Sequence, residues 1–217
     1  MKRRWQILIV VGLLVAVLDQ WSKFLAVKHL TPGIAIAHTG VEHVAPSELQ
    51  RSLTETTLGT QLGYFYGDIK GPCRVSRQLC PTVSVVDGFW NWRYVENPGA
   101  AWGLLAGANE NLRVPFFLLV SLVAIGFIIT FFRKLEDHQY LLVISLSLVF
   151  GGAIGNLIDR LHLSYVIDFI DWYIGTAHWP TFNVADAAIT SGVALLMLEW
   201  AFDAKNKKAP AKGPVKA

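Results

Sequence analysis

Charge is scarce in this chain. Asp, Glu, Lys and Arg make up 16% of its 217 residues, against 53% hydrophobic ones, a ratio far from that of ordinary soluble domains. The net charge of +3 is too small to make a nucleic-acid surface, so no nucleic acid is expected as partner. Cysteine is nearly missing, with only Cys73 and Cys80. Two thiols alone are an incomplete metal site. In an oxidising compartment this pair can close a small disulfide loop, or both can stay free. The zinc-peptidase signature His-Glu-x-x-His is absent, as is an inverted repeat of the transporter kind, and no cofactor is expected.

What is plentiful is apolar length. Mean hydropathy is +0.41, and four runs approach the roughly 20 apolar residues that cross a bilayer as a helix. They cover about 5–27, 112–132, 141–158 and 184–202. Asp19 and Lys23 interrupt the outer third of the first. Lys2, Arg3 and Arg4 precede the first run, Arg133 and Lys134 follow the second, and Lys205, Lys207 and Lys208 follow the fourth. The positive-inside rule gathers these clusters in the cytoplasm, with both termini and a basic tail over 204–217. A cleaved leader is the rival account: a basic start, the run Ile7 to Leu18 and the triplet Ala35-Ile36-Ala37 are present. The triplet lies too far from the run, and three remaining spans would split the basic clusters between two sides.

The outward loop divides in two. Residues 38–82 are rich in Gly, Ser, Thr and Pro, with weak periodicity, and suit an adornment, a flap over substrate or a partly disordered stretch. Over 83–103 the pattern changes. Val83, Val85, Phe89, Trp90, Trp92, Tyr94 and Val95 predict one or two short strands with a turn at Asp87-Gly88, leading to Asn97-Pro98-Gly99 and the second span.

The densest polar stretch lies between Gly151 and Gly192. Ionisable groups at membrane depth are costly and mark functional sites, so Asp168 and Asp186 are the leading candidates for an active site. Gly151 and Gly155, like Gly152 and Asn156, are four apart and permit close helix contact. Asn156 then shares the Gly152 face, with Asp159 and Arg160 a turn further on. Asn183 is a suitable N-cap for the fourth helix, with Asp186 in its first turn. Asp19 and Lys23 share one face of the first helix and suit an ion-paired brace inside the bundle. The rival for the Asp159–Arg160 neighbours is a plain ion pair at the membrane boundary.

In order, these blocks are Asp19-Gln20-x-x-Lys23, Asn97-x-Gly99-Ala100-Ala101-Trp102, Gly151-Gly152-x-x-Gly155-Asn156-x-x-Asp159-Arg160, Val166-x-Asp168-Phe169 and Phe182-Asn183-x-Ala185-Asp186. With four spans, they resemble signal peptidase II, the bacterial prolipoprotein signal peptidases. The resemblance covers residues 5–28 and 83 to about 202; Trp102 stands where phenylalanine is more usual. It implies an all-α polytopic fold, with four transmembrane helices, a small extracytoplasmic antiparallel β-sheet and a short outer amphipathic helix. It implies a metal-independent aspartic endopeptidase in the bacterial inner membrane, active near the outer face, with Asp168 and Asp186 catalytic. Asn156, Asp159, Arg160, Asn183, Ala185, Asn97, Gly99, Asp19 and Lys23 fall at the supporting positions. The implied partners are diacylglyceryl-modified prolipoproteins, membrane lipids and globomycin-type peptide inhibitors, met by a monomer. The enlarged loop over 38–82 departs from the pattern. Two rivals follow from the residues alone. One is a metal-dependent membrane hydrolase using His162, Asp168, Asp171, His178 and Asp186; the other is a small proton-coupled transporter.

Overall fold

In a computed structural model the described residues are 2–41, 45–67, 69, 71–75, 80–99, 105 and 107–208. Four helices are long and apolar enough to span a membrane: α1 (Arg3–Leu30), α6 (Glu110–Phe132), α7 (Tyr140–Leu163) and α8 (Val184–Lys208), whose apolar stretch ends at Phe202. Each helix covers the run expected for it, and three continue past the expected ends. The reason is visible in α1 and α7, whose polar residues at the outer end satisfy one another inside the bundle and so need not terminate the helix. The tail expected over 204–217 begins instead as helix through Lys208.

α7 is the central helix, packed against α1, α8 and α6. Its small residues set the spacing. A Cβ on Gly151 would lie 2.7 Å from the Gly12 carbonyl oxygen of α1, and one on Gly152 would collide with the Ala185 carbonyl of α8. α6 packs on α7 and turns most of its surface outward, with Leu112 73% and Phe127 71% exposed. Such a face matches hydrocarbon rather than water. Leu8, Ile128, Phe132, Leu135, Val143 and Leu146 close the end of the bundle remote from the sheet.

The other end carries a four-stranded sheet in the order β1 (Val83–Val86), β2 (Trp90–Asn97), β3 (Val166–Ile174) and β4 (Ala177–His178), with β1, β2, β3 and β4 paired antiparallel. The first hairpin turns at Asp87-Gly88, where Gly88 adopts φ +81°, a value glycine takes without strain. Register runs from Trp90 opposite Trp172 to Asn97 opposite Val166. One extra residue in β2 between Trp92 and Val95 forms a bulge, which shifts the facing of the strand beyond it. Val95 and Asn97 thereby share a face with Asp168. The sheet is larger than the one or two strands expected. β3 follows α7 after only two residues, and its alternation is hidden among aromatics and aspartates.

Segment 38–82 holds helices where weak periodicity gave none: α3 (Pro46–Glu55), α4 (Leu58–Gly67) and the single turn α5 (Pro72–Val75), preceded by α2 (Gly33–Thr39). α3 begins at a proline and carries Glu48 in its first turn, both favourable at a helix start. Phe65 and Ile69 are buried with Phe24, Val27, Leu30, Tyr94, Tyr165 and Ile167, so the segment joins the core formed by α1 and the sheet. Cys73 and Cys80 are bonded to each other. Ala100, Ala101, Trp102 and residues 209–217 lie outside the described residues.

Candidate active site

Asp168 sits in β3 opposite Val95, and Asp186 in the first turn of α8. Asn183, immediately before that helix, caps it as the sequence predicts: its Oδ1 accepts from the Asp186 N–H at 2.9 Å. The same side chain joins the two aspartates. Asn183 Nδ2 donates to Asp168 Oδ1 at 2.7 Å and lies 3.2 Å from Asn156 Oδ1. Asn156 Nδ2 in turn donates to Asp186 Oδ1 at 2.8 Å. Two neutral amides therefore bind both carboxylates into one network. Asn97, at the end of β2, donates to the other oxygen of Asp168 at 2.9 Å, and the Gly99 N–H fixes Asn97 by donating to its Oδ1 at 3.1 Å.

Behind this pair is a buried charge cluster. Lys23 Nζ contacts Asp19 Oδ2 at 2.7 Å and Asp159 Oδ2 at 2.8 Å, and donates to Asn156 Oδ1 at 3.0 Å. Gln20 donates to Asp159 Oδ1 at 2.8 Å. Both carboxylates also accept from backbone: the Ala185 N–H donates to Asp19 at 2.9 Å, and the Ile167 N–H to Asp159 at 3.0 Å. A buried charge is tolerable only when paired and hydrogen-bonded, and these bonds end one residue before Asp168 and one before Asp186. The brace thus fixes the backbone that carries both aspartates. The ion pair weighed for Asp159 and Arg160 does not form, because consecutive helical residues point about 100° apart. Asp159 faces Lys23, whereas Arg160 lies over the Phe117 ring at 5.3 Å from its centroid.

Asp168 is 1% exposed. Burial raises its carboxyl from the ordinary 3.8 to about 8; the neighbouring Asp186 adds to this, while Asn97, Lys23 and Asn183 oppose it. Asp168 and Asp186 line one cavity of about 1090 Å³. One branch runs between Val120, Ser121 and Ala124 of α6 and Ile189 and Thr190 of α8; the other climbs the sheet past Trp172, His178 and Trp179. The cavity thus extends from between two membrane-length helices to the face of the sheet. None of the described lining residues comes from segment 38–82.

The five groups weighed as metal ligands do not converge. His162 packs edge-on against Tyr66, away from the cavity, and Asp171 pairs with His178 at 2.8 Å. Among the described residues no three His, Cys, Asp or Glu side chains gather as a metal site. Gln20 stands in a quoted block, yet its part in holding Asp159 was not foreseen. Nor was the Asn91–Asp171–His178 contact; its only sequence signal is a second aspartate three residues after Asp168.

Four membrane-length helices surround a cleft lined by two linked aspartates, an arrangement that fits an intramembrane aspartic endopeptidase. The family described as signal peptidase (SPase) II matches residues 69–202. The chain belongs to that family. It is 41% identical over 204 residues, 90% of this chain and 84% of the other, to the lipoprotein signal peptidase of Anaeromyxobacter sp. (strain Fw109-5). It is 50% identical over 132 residues, 61% and 81% of the two chains, to that of Geobacter sulfurreducens. A bacterial membrane enzyme solved by the in meso method at 2.3 Å resolution superposes with a TM-score of 0.61 at 26% identity, covering 96% of this chain and 94% of the other. Membership sets aside the transporter reading.

Proposed function

We propose that Asp168 and Asp186 are the dyad with which this family member removes the signal peptide of bacterial prolipoproteins, cutting just before a diacylglyceryl-modified cysteine. The observation that carries the proposal is the amide link Asn183–Asn156, which holds both carboxylates in one network on a cavity open toward lipid. Two carboxylates that share one proton supply an acid and a base together; burial of Asp168 and the neighbouring Asp186 both favour its protonated form, which supports Asp168 as the starting acid. Ionised Asp186 takes a proton from water, and the oxygen attacks the scissile carbonyl carbon. Asp168 gives its proton to the carbonyl oxygen, so a neutral gem-diol forms and the charges of the dyad exchange. Asp186 then passes its proton to the amide nitrogen, Asp168 recovers one from a diol hydroxyl, and the C–N bond breaks. The products are a carboxylic acid and the amine of the lipidated cysteine. Asn97 orients Asp168, and Arg160 supplies positive charge near the pair.

The α6–α8 branch suits lateral entry with the acyl chains still in lipid. The same branch suits globomycin-type peptides, and one chain holds every group used here, as a monomer requires. The basic clusters support a topology with both termini in the cytoplasm and the cleft near the outer face.

The test is mass spectrometry of products from two precursors, one diacylglyceryl-modified and one with a bare cysteine, each with and without chelator. The expected result is a single cut before the lipidated cysteine, unaffected by chelator. Equal cutting of the bare precursor, or loss of activity in chelator, would refute this reading.

A further inference from the structure

Asp171 is 1% exposed and takes no part in the chemistry above. It lies in β3 opposite Asn91 of β2, where the register brings an amide against a carboxylate. Asn91 Nδ2 donates to its Oδ2 at 3.2 Å, and His178 Nδ1 lies 2.8 Å from its Oδ1. Against an ionised carboxylate, which has no hydrogen to give, Nδ1 is the donor of this bond. The imidazole is also stacked on Tyr173, with 5.1 Å between ring centroids and 14° between planes. Hydrogen bond and stacking fix the ring, while 42% of the side chain remains exposed.

In a neutral imidazole this arrangement leaves Nε2 as a lone-pair acceptor. His178 stands at the end of the edge strand β4 and lines the sheet branch of the cavity, beside Trp172 and Trp179. Arg93 is the other basic side chain of the sheet along that cavity, and Glu96, Asp168 and Asp171 are the acidic ones. A cut made at the dyad leaves the signal peptide in lipid. The sheet branch of the cavity suits the polypeptide beyond the cleaved bond.

We infer that His178, oriented by Asp171, is a substrate-binding residue whose Nε2 accepts a backbone N–H from the extended segment following the lipidated cysteine. This rests on the function proposed above and adds a second station, on the sheet, that reads peptide backbone rather than lipid.

The test uses the full-length enzyme and two lipidated precursors with identical signal peptides. One keeps its mature polypeptide; the other ends directly after the modified cysteine. Wild type is expected to show a KM about tenfold lower for the long precursor, the size of one well-placed hydrogen bond. His178→Asn keeps a donor for Asp171 but removes the outward nitrogen, and is expected to abolish that difference without lowering kcat. His178→Gln places an acceptor near the Nε2 position and is expected to restore it. Equal KM rises on both precursors in His178→Asn would assign the contact to the lipidated part and overturn the inference. So would a KM ratio that neither variant changes. A wild type that cuts neither precursor would overturn the functional reading as well.

Discussion

Asp168 is held by two amide donors and by burial that favours its neutral form, and this has a consequence for stability. Its folded-state carboxyl keeps a proton to about pH 8, whereas the unfolded chain releases it near 3.8. The folded state therefore binds more protons in between, and its stability falls as pH rises from about 4 to about 8. Asp168→Asn removes that loss. Thermal scans in detergent should show the variant gaining on wild type across this window, with little gain below pH 4; a constant difference would contradict the assignment. Lys23 makes the opposite case. Its removal leaves Asp19 and Asp159 buried without their cation, and breaking a buried pair costs roughly 3–5 kcal/mol. Lys23→Met should lower the denaturation midpoint accordingly. At this scale much was legible: Asp168, Asp186, Asn183 as cap and the Asp19–Lys23 pair were named from spacing and depth. The partner of Asp159 was not, because choosing between Lys23 and Arg160 requires knowing which face of α7 meets α1.

The elements divide by how clearly their pattern speaks. Four long apolar runs became four helices, and the glycine spacing of α7 became close contact with α1 and α8. The first hairpin followed from its turn and alternation. β3 stayed hidden because it is buried on both faces over Val166–Phe169 and then shows aspartate and tryptophan, so period-two alternation never appears. Segment 38–82 is ambiguous in the sequence for another reason. Its helices span ten residues or fewer, too short for a periodic signal, and depend on packing against α1 and the sheet. Phe65 and Ile69 supply that packing behind the sheet, away from the described cavity lining. The segment therefore braces the sheet. Replacing both Cys73 and Cys80 by serine should cost about 2–4 kcal/mol of stability, read as a lower melting temperature. Cleavage below that temperature should continue; its loss in folded protein would make the segment part of substrate handling.

Across the whole molecule, the bundle places the sheet at one end and an apolar closure at the other. The basic flanks favour cytoplasmic termini and an outward sheet, which accessibility labelling tests. A cysteine placed at Leu58, exposed in the brace, should react with a membrane-impermeant maleimide in spheroplasts, whereas one at the exposed Glu136 should react only after lysis. The reverse pattern would invert the topology. The central claim is that one shared proton between Asp168 and Asp186 cuts the peptide. Its most direct test compares single-turnover cleavage of a diacylglyceryl-modified precursor by wild type, Asp168→Asn and Asp186→Asn, each shown to be folded. Each variant should lose about a thousandfold or more in rate. If either folded variant cleaves within tenfold of wild type, these two carboxylates are not the dyad.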